Sequence, residues 1–468
     1  MHCNQGRLSQ QLNVLRRQFA LSDELPFGNV LSTALVERLI TEAGLTVHKR
    51  VFTPTITVLM FLWQVISQDH SCREVVARLL AFRAATGQPS CSPQTGGYCL
   101  ARQRLPESFV AALARETGRE LERSTPDEWR WKGRRVHVFD GSTVTMPDAT
   151  ANQEAYPQQP NQKQGLGFPI ARIAAVFSLS CGAVLDLAIC RYQGKGQSEL
   201  GLLRSLWNLF AAGDVLLADR YICSWYELME LQQHGVDFVV RVHQSRKVDF
   251  RRGKRLGKQD HVVVWKKPRR RKGMDPAEYA ALPDELFVRE VRLVVSESGF
   301  RTRRLNVATS LQDPQAFSRL DLTDLYRQRW NAELDLRSLK QTMQMDMLRC
   351  KTPEMVRKEL WTHILGYNLI RTVMAQAARQ YALPPRQISF KGAMQAILAF
   401  QPYWDLCTPE NGAALHAELL RFVASQRVGK RPNRIEPRAK KRRPNSYRLL
   451  TQPREIARAA ILNGSCSS

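Results

Sequence analysis

Between residues 136 and 242 short apolar runs alternate with helical patterns, and two of those runs end on an aspartate. Val136-His137-Val138-Phe139 leads into Asp140, and Val215-Leu216-Leu217-Ala218 leads into Asp219. Apolar runs of four to eight residues bounded by turn residues suit buried strands better than helices. Residues 170–179 and 183–191 read as two more strands around Cys181-Gly182, a hairpin. Helical spacing over 198–211 and 225–234, and a last apolar run over 238–242, complete the segment. The order is then strand, strand, strand, helix, strand, helix, strand. Helical crossovers between strands imply a mixed α/β sheet with a parallel part.

The two aspartates set the next question. A carboxylate at the end of a buried strand must reach solvent, a metal or a partner, because an unpaired buried charge is costly. Capping a following helix accounts for either one alone. Asp148, which follows Pro147, is the residue that competes with Asp140 for a functional role. A turn is the simpler account of Asp148, and of Asp214 after Gly213. Asp186 and Glu199 also fall near the expected strands.

A third carboxylate stands on a helix expected over residues 322–345. Tyr326, Arg329, Glu333, Arg337 and Lys340 recur there at a spacing that places all five within roughly 80° of one another. One face therefore shows a carboxylate between cations, with a phenol at one end. Leu325, Leu336, Leu339, Met343 and Met347 form a neighbouring apolar stripe, fit to pack on the sheet. A solvated face with salt bridges from Glu333 to Arg329 or Arg337 is the plainer account of the helix alone. Two aspartates on neighbouring strands beside that glutamate are harder to explain as structure only. Carboxylate oxygens are the ligands magnesium prefers, and two such ions can hold the attacking and leaving oxygens of a phosphodiester in line.

Charge favours the same substrate. Lys plus Arg number 69 against 43 Asp plus Glu, a net +26, which opposes compaction unless a polyanion answers it. The cations are clustered, at Arg251-Arg252-Gly253-Lys254-Arg255, at 266–272, and in a tail over 427–448 that carries ten Lys or Arg. The ten cysteines include no C-x-x-C pair, so a zinc site is not expected, and their scatter fits a reducing cytosol. The first residues lack the apolar core of a signal peptide, and the most apolar run, 58–66, is too short to span a bilayer. We therefore expect no membrane association.

The chain resembles bacterial insertion-sequence transposases of the DDE type, in the branch marked by a Y-x2-R-x3-E-x6-K helix. Tyr326, Arg329, Glu333 and Lys340 match all four marked positions, and Asp140 and Asp219 resemble the first and second aspartates. The resemblance covers roughly residues 130–375. It implies an RNase-H-like catalytic domain with a β-rich insertion, and the 114 residues between Asp219 and Glu333 leave room for one. It also implies that Asp140, Asp219 and Glu333 ligate two Mg2+ ions, with Mn2+ able to substitute. Tyr326, Arg329, Lys340, Arg337 and Arg220 would contact DNA. The activity implied is cut-and-paste transposition: cleavage at the element's ends, a hairpin intermediate, and joining to target DNA. The partners would be double-stranded transposon ends and target, bound by a homodimer, in a cytoplasmic, nucleoid-associated protein. A metal-dependent nuclease or resolvase of the same fold, or a non-catalytic DNA-binding relative, are the alternatives. Some relatives place a base-holding tryptophan just before the insertion's return strand. Here Arg303-Arg304-Leu305 leads into that strand, and Trp265, the insertion's one tryptophan, reads as core.

The expected organisation follows. Residues 1–125 form a helical DNA-binding region, in which 54–66 and 72–82 are either a helix-turn-helix or an ordinary helical pair. Residues 130–243 are the first part of the catalytic core, 244–304 the basic insertion, and 305–375 the second part with the Glu333 helix. Residues 376–426 are a helical C-terminal region and 427–468 a basic tail. Residues 149–167 are expected to be a loop.

Overall fold

The computed structural model describes residues 2–19, 27, 29–46, 50–294, 304–406, 409–429 and 449–463. Most of the basic tail, residues 430–448, and Arg303 of the return-strand approach lie outside them.

Six helices come first: α1 (His2–Gln18), α2 (Thr33–Glu42), α3 (Pro54–Ile66), α4 (Cys72–Ala85), α5 (Gly96–Arg104) and α6 (Glu107–Arg123). Local chemistry sets their starts. Thr53 caps α3 by accepting from the Ile56 N–H, with Pro54 at the first helical position, where a missing N–H costs nothing. Ser71 caps α4 in the same way through Glu74. Every α3 residue after Pro54 is buried, so this helix is core rather than a reading head.

The strands are β1 (Val136–Thr145), β2 (Ile170–Ser178), β3 (Val184–Arg191), β4 (Val215–Ala218) and β5 (Asp237–Arg241), then β6 (Lys254–Gly257), β7 (Asp260–Lys266), β8 (Glu285–Val294) and β9 (Arg304–Thr309). Between them lie α7 (Thr150–Ala155), α8 (Glu199–Ser205), α9 (Trp225–Gln233) and α10 (Pro276–Ala281). All nine strands share one sheet in the order β3-β2-β1-β4-β5-β9-β8-β7-β6. β1 runs antiparallel to β2, and β2 to β3, while β1, β4 and β5 are mutually parallel neighbours. This is the mixed sheet expected, and its first five strands have the RNase-H-like order. β1 is a single strand. The stretch 149–167 holds the short helix α7, and helix 198–211 shortens to α8 and a 3-10 turn at Trp207–Leu209.

The insertion extends this sheet instead of standing apart from it. β9 returns antiparallel to β5, and β8, β7 and β6 add outward as a meander. Arg289 of β8 is fully buried. It forks onto both Asp260 oxygens at 2.8 and 2.6 Å and donates to the Leu311 and Phe317 carbonyls at 3.1 and 2.8 Å. The insertion is thereby tied to the segment that starts the next helix. Trp265 is buried, with its indole N–H on Glu290, and so is core as read.

The helix expected over 322–345 is not continuous. It divides into α11 (Arg319–Gln328), α12 (Trp330–Arg337) and a π-helical turn over Ser338–Thr342. The Ser318/Asp321 capping box starts it. At Arg329 the backbone tightens, with i→i−3 bonds from Arg329 to Tyr326 and from Ala332 to Arg329. After Arg337 it widens, and the Met343 N–H reaches back to Ser338. Just beyond this turn residues 346–348 bond Thr145 at the end of β1, through Thr145 N–H to Asp346 and Leu348 N–H to Thr145.

α13 (Pro353–Gln380), α14 (Phe390–Phe400), α15 (Pro409–Ser425) and α16 (Arg454–Leu462) complete the chain. α13 is buried along nearly its whole length, packs on α3, α6 and β3, and passes without a break through residue 375. Among the described residues no helix is long and apolar enough to cross a membrane.

Candidate active site

Parallel pairing brings the two aspartates level. Val138 lies opposite Leu217, so continuing the register two residues sets Asp140 beside Asp219, where β4 ends; β1 runs on to Thr145, so Asp140 stands within its strand and not at its end as read from the sequence. Each carboxylate is held by a backbone N–H that follows it. One Asp140 oxygen accepts the Gly141 N–H at 2.9 Å, and one Asp219 oxygen accepts the Tyr221 N–H at 2.7 Å as the cap of a 3-10 turn. α12 packs on β1 and delivers Glu333 to the same place. Arg329 joins them, 2.6 Å from a Glu333 oxygen and 3.9 Å from Asp140.

The electrostatics record the crowding. Burial pushes the Asp140 carboxyl up; Arg329 and the Gly141 N–H pull it down; the Glu333 and Asp219 charges push it up again, to about 6. Burial likewise lifts the Tyr326 phenol to about 12, against Arg329 and Arg241 and with Asp219. Tyr326 is thus a mostly buried wall of the site, 8% exposed. Lys340 reaches the same stretch of β1, its Nζ donating to Ser142 Oγ at 2.9 Å, and burial lowers its pKa.

The donor set is three carboxylates, hard oxygen ligands of the kind divalent cations take. One of them, Asp140, is held above its ordinary pKa chiefly by burial, with the Glu333 and Asp219 charges adding to it against Arg329. These residues fit a divalent cation. Among the described residues no three side chains are already drawn into a closed cage, and Glu333 is engaged by Arg329. Ligation would require Glu333 to turn from the guanidinium.

Comparison with known proteins is decisive at this point. Residues 131–369 match the family described as Transposase DDE domain, a span of more than half the chain that contains all three carboxylates. The chain belongs to the DDE transposase family. It is 26% identical over 452 residues to Transposase InsG for insertion sequence element IS4 of Escherichia coli (strain K12), covering 94% of this chain and 97% of that one. It is also 26% identical over 204 residues to Putative transposase InsL for insertion sequence element IS186A of the same strain, covering 37% of this chain and 54% of that one. Among solved structures, a piggyBac transposase synaptic complex with hairpin DNA aligns at 9% identity and a TM-score of 0.43, over 90% of this chain and 87% of that one. That score is too low for the likeness to count. The protein is therefore a bacterial insertion-sequence DDE transposase, an enzyme that cleaves and transfers DNA, with the dependence on divalent metal that the family implies.

Not every residue read from the sequence joins the transposase's carboxylate cluster. Arg337 is exposed and bonds Gln341 at 3.2 Å, one turn along its own helix. Arg220 turns to Gln244 at 2.9 Å. The 3-10 turn after Asp219 accounts for the second. The competing acids lie elsewhere. Asp148 is exposed and accepts from Gln153; Asp214 is buried beneath Arg135 at the start of β4; Asp186 pairs with Arg115. Glu199 lies across the sheet, against the face where Gly141 has no side chain: a Cβ there would come within 2.9 Å of it.

One residue of the transposase's site escaped the sequence reading. Ala218 lies opposite Val240, which sets Arg241 level with Asp219 on the third parallel strand. Its charge bears on Tyr326. The signal was present, since Phe238-Val239-Val240 runs into Arg241 as the other two strands run into aspartates. Three adjacent parallel strands thus set Asp140, Asp219 and Arg241 level in a row, Asp140 within β1 and the other two where β4 and β5 end.

Proposed function

We propose that this transposase excises and inserts its element by cut-and-paste chemistry centred on Asp140, Asp219 and Glu333. The observation that supports the reading best is the in-register pair Asp140 and Asp219 with Glu333 bridged to them by Arg329. Held by those carboxylates, two Mg2+ ions, or Mn2+ in their place, would polarise the scissile phosphate and stabilise both the attacking and the leaving oxygen.

The chain's own residues then divide the remaining work. Arg329, released from Glu333, supplies positive charge where a phosphate's negative charge builds up. Lys340 on Ser142 and Arg241 beside Asp219 flank the same position and would hold the strand by its phosphates. Tyr326 walls the site and orients Arg329. Arg337 and Arg220, exposed or turned outward, would contact phosphates farther along the duplex. The exposed cations of the insertion, among them Arg251, Arg252, Lys254, Arg255, Arg269, Arg270 and Lys272, would add contacts that position DNA without reading sequence. End recognition would then fall to the helical region before residue 125.

Each step is an in-line displacement at phosphorus, so one set of carboxylates can serve cleavage, hairpin formation and joining to double-stranded target. The Y-x2-R-x3-E-x6-K spacing supports the hairpin route. Pairing two transposon ends calls for two copies of the chain, so the DNA complex is a homodimer in this reading. The test is strand transfer with end-containing duplexes and Mg2+. Asp219→Asn and Glu333→Gln should each lower joined product by about a hundredfold or more while DNA binding persists. Normal activity in either variant would make the assignment wrong.

A further inference from the structure

Glu333 reaches the site from a helix that the chain does not hold straight. α12 has eight residues, with a tightened turn before it and a π turn after it. The backbone stays helical through both junctions, but regular α-helical bonding lapses there, so ties from outside the helix add to what sets the rotation of α12. The residue placed to do so is Asp335.

Asp335 follows Glu333 by two positions, about 200° around the helix axis, and so points away from the metal-binding face. It is buried, 1% exposed. Two arginines close on it. Arg386 Nη1 donates to both carboxylate oxygens at 2.8 and 2.7 Å, and Arg371 Nη2 donates to Oδ1. Both arginines are themselves fixed. The rest of the Arg386 guanidinium donates to the Leu179 and Ser178 carbonyls, at 2.8 and 2.7 Å, where β2 ends. Arg371 Nε donates to the Tyr367 hydroxyl at 2.8 Å, and the group lies over the Tyr367 and Phe390 rings. Gly182, at φ +81° in the β2–β3 turn, leaves the space: a Cβ there would come within 2.9 Å of both guanidinium groups.

We propose that the Asp335–Arg386–Arg371 cluster is a positioning device that fixes the rotation of α12 and so the placement of Glu333. Apolar packing lets a short helix slide or turn at little cost, because many rotations bury similar area. A buried carboxylate held by forked, charge-assisted bonds has far fewer acceptable geometries. The cluster references α12 to α13, to residues 385–387 and to the end of β2. That strand pairs with β1, which carries Asp140. Glu333 is therefore positioned against Asp140 through a path on the far side of its helix. This proposal rests on the reading of Glu333 as a metal-binding residue.

The test compares metal dependence with stability and DNA binding. Asp335→Asn removes the charge but leaves Arg371, which is buried, and Arg386 without their counter-charge and can unfold the protein. Arg386→Lys is the second variant, since it keeps a charge for Asp335 and gives up the guanidinium bonds to the Leu179 and Ser178 carbonyls that reference α12 to the end of β2. End-containing duplex is titrated with Mn2+ for cleavage, and binding is measured without metal. Arg386→Lys should need about tenfold more Mn2+ for half-maximal cleavage, with DNA affinity and melting temperature near those of the parent. An unchanged Mn2+ requirement overturns the proposal. So does a fall in binding and cleavage together with the half-saturating metal unmoved, the signature of a purely structural role. Glu333→Gln, measured alongside, separates the two failures. If it is inactive and Arg386→Lys behaves as the parent, only the positioning role falls. If it cleaves normally, the reading of Glu333 falls and the positioning role with it.

Discussion

Arg329 faces Glu333 and Asp140 at once, and its charge answers part of a cluster that would otherwise repel itself. In the mechanism proposed above it is a placeholder that metal and phosphate would displace. A second buried pair, at the other end of β1, has a purely structural consequence. His137 lies 3.0 Å from Glu122, with almost no exposed surface of its own. Burial alone would push the His137 imidazole down, but the Glu122 carboxylate outweighs it and the net shift is upward. Burial would raise the Glu122 carboxyl, and His137 outweighs that, so the net shift is downward. The raised imidazole contributes stability below its unfolded pKa, about 6.5, and loses it as pH rises through the folded value. The lowered carboxyl contributes above its unfolded pKa, about 4.3, and loses it as pH falls through the folded value. The pair is therefore fully stabilising between those two values. His137→Gln should destabilise by about 1.5–3 kcal/mol near pH 5.5, with the gap closing towards pH 9, as measured by urea unfolding. A gap independent of pH would contradict the assignment of charge.

At the scale of elements, the sheet and the helices beside it meet at one polar node. Asn368 of α13, fully buried, accepts the Val184 N–H at 2.8 Å and donates to the Val184 and Ala114 carbonyls at 2.9 and 3.0 Å. It joins α13, β3 and α6, and the three approach closely because α6 carries Gly118. A Cβ at that position would stand 2.2 Å from the Val184 carbonyl oxygen, which is backbone and cannot swing aside. Gly118→Ala should cost about 1–3 kcal/mol, read as a lower urea midpoint. A variant as stable as the parent would mean that α6 is free to move off the sheet. The amphipathic pattern of α6 was readable in the sequence, but nothing local marks Gly118 as a contact point. The break in the Glu333 helix was equally hidden. No proline or glycine interrupts residues 319–342, and the partner that the chain meets just past them, Thr145 at the end of β1, comes far earlier in the sequence.

For the molecule as a whole, charge is the dominant fact. A net +26 on one chain, with exposed cations in the β6–β8 extension, makes counterion release a large part of DNA affinity. Because that extension continues the catalytic sheet, its cations are fixed relative to the carboxylates rather than tethered loosely beside them. Binding to end-containing duplex should weaken by about a thousandfold or more as salt rises from about 50 to about 200 mM. A shallow dependence, measured by titration at several salt concentrations, would show that most of these cations do not meet phosphate.

What the sequence by itself determined is local in origin. Short apolar runs before Asp140 and Asp219 specified strands, since alternation and run length act within a few residues; Asp219 closes its strand, while β1 runs on past Asp140 to Thr145. The spacing of Tyr326, Arg329, Glu333 and Lys340 marked the helix and the family, because helical periodicity is also local. The tertiary structure alone decided what depends on pairing between distant segments. Strand register set Asp140 beside Asp219 and added Arg241 to the row. Residues 346–348 met the end of β1 just past the Glu333 helix, and Arg337 bonded Gln341 instead of joining the cluster. Two arginines from beyond residue 370 closed on Asp335. Each of these is an interaction between residues far apart in sequence, and single-chain periodicity carries no record of which distant partner a strand edge or a buried charge will meet.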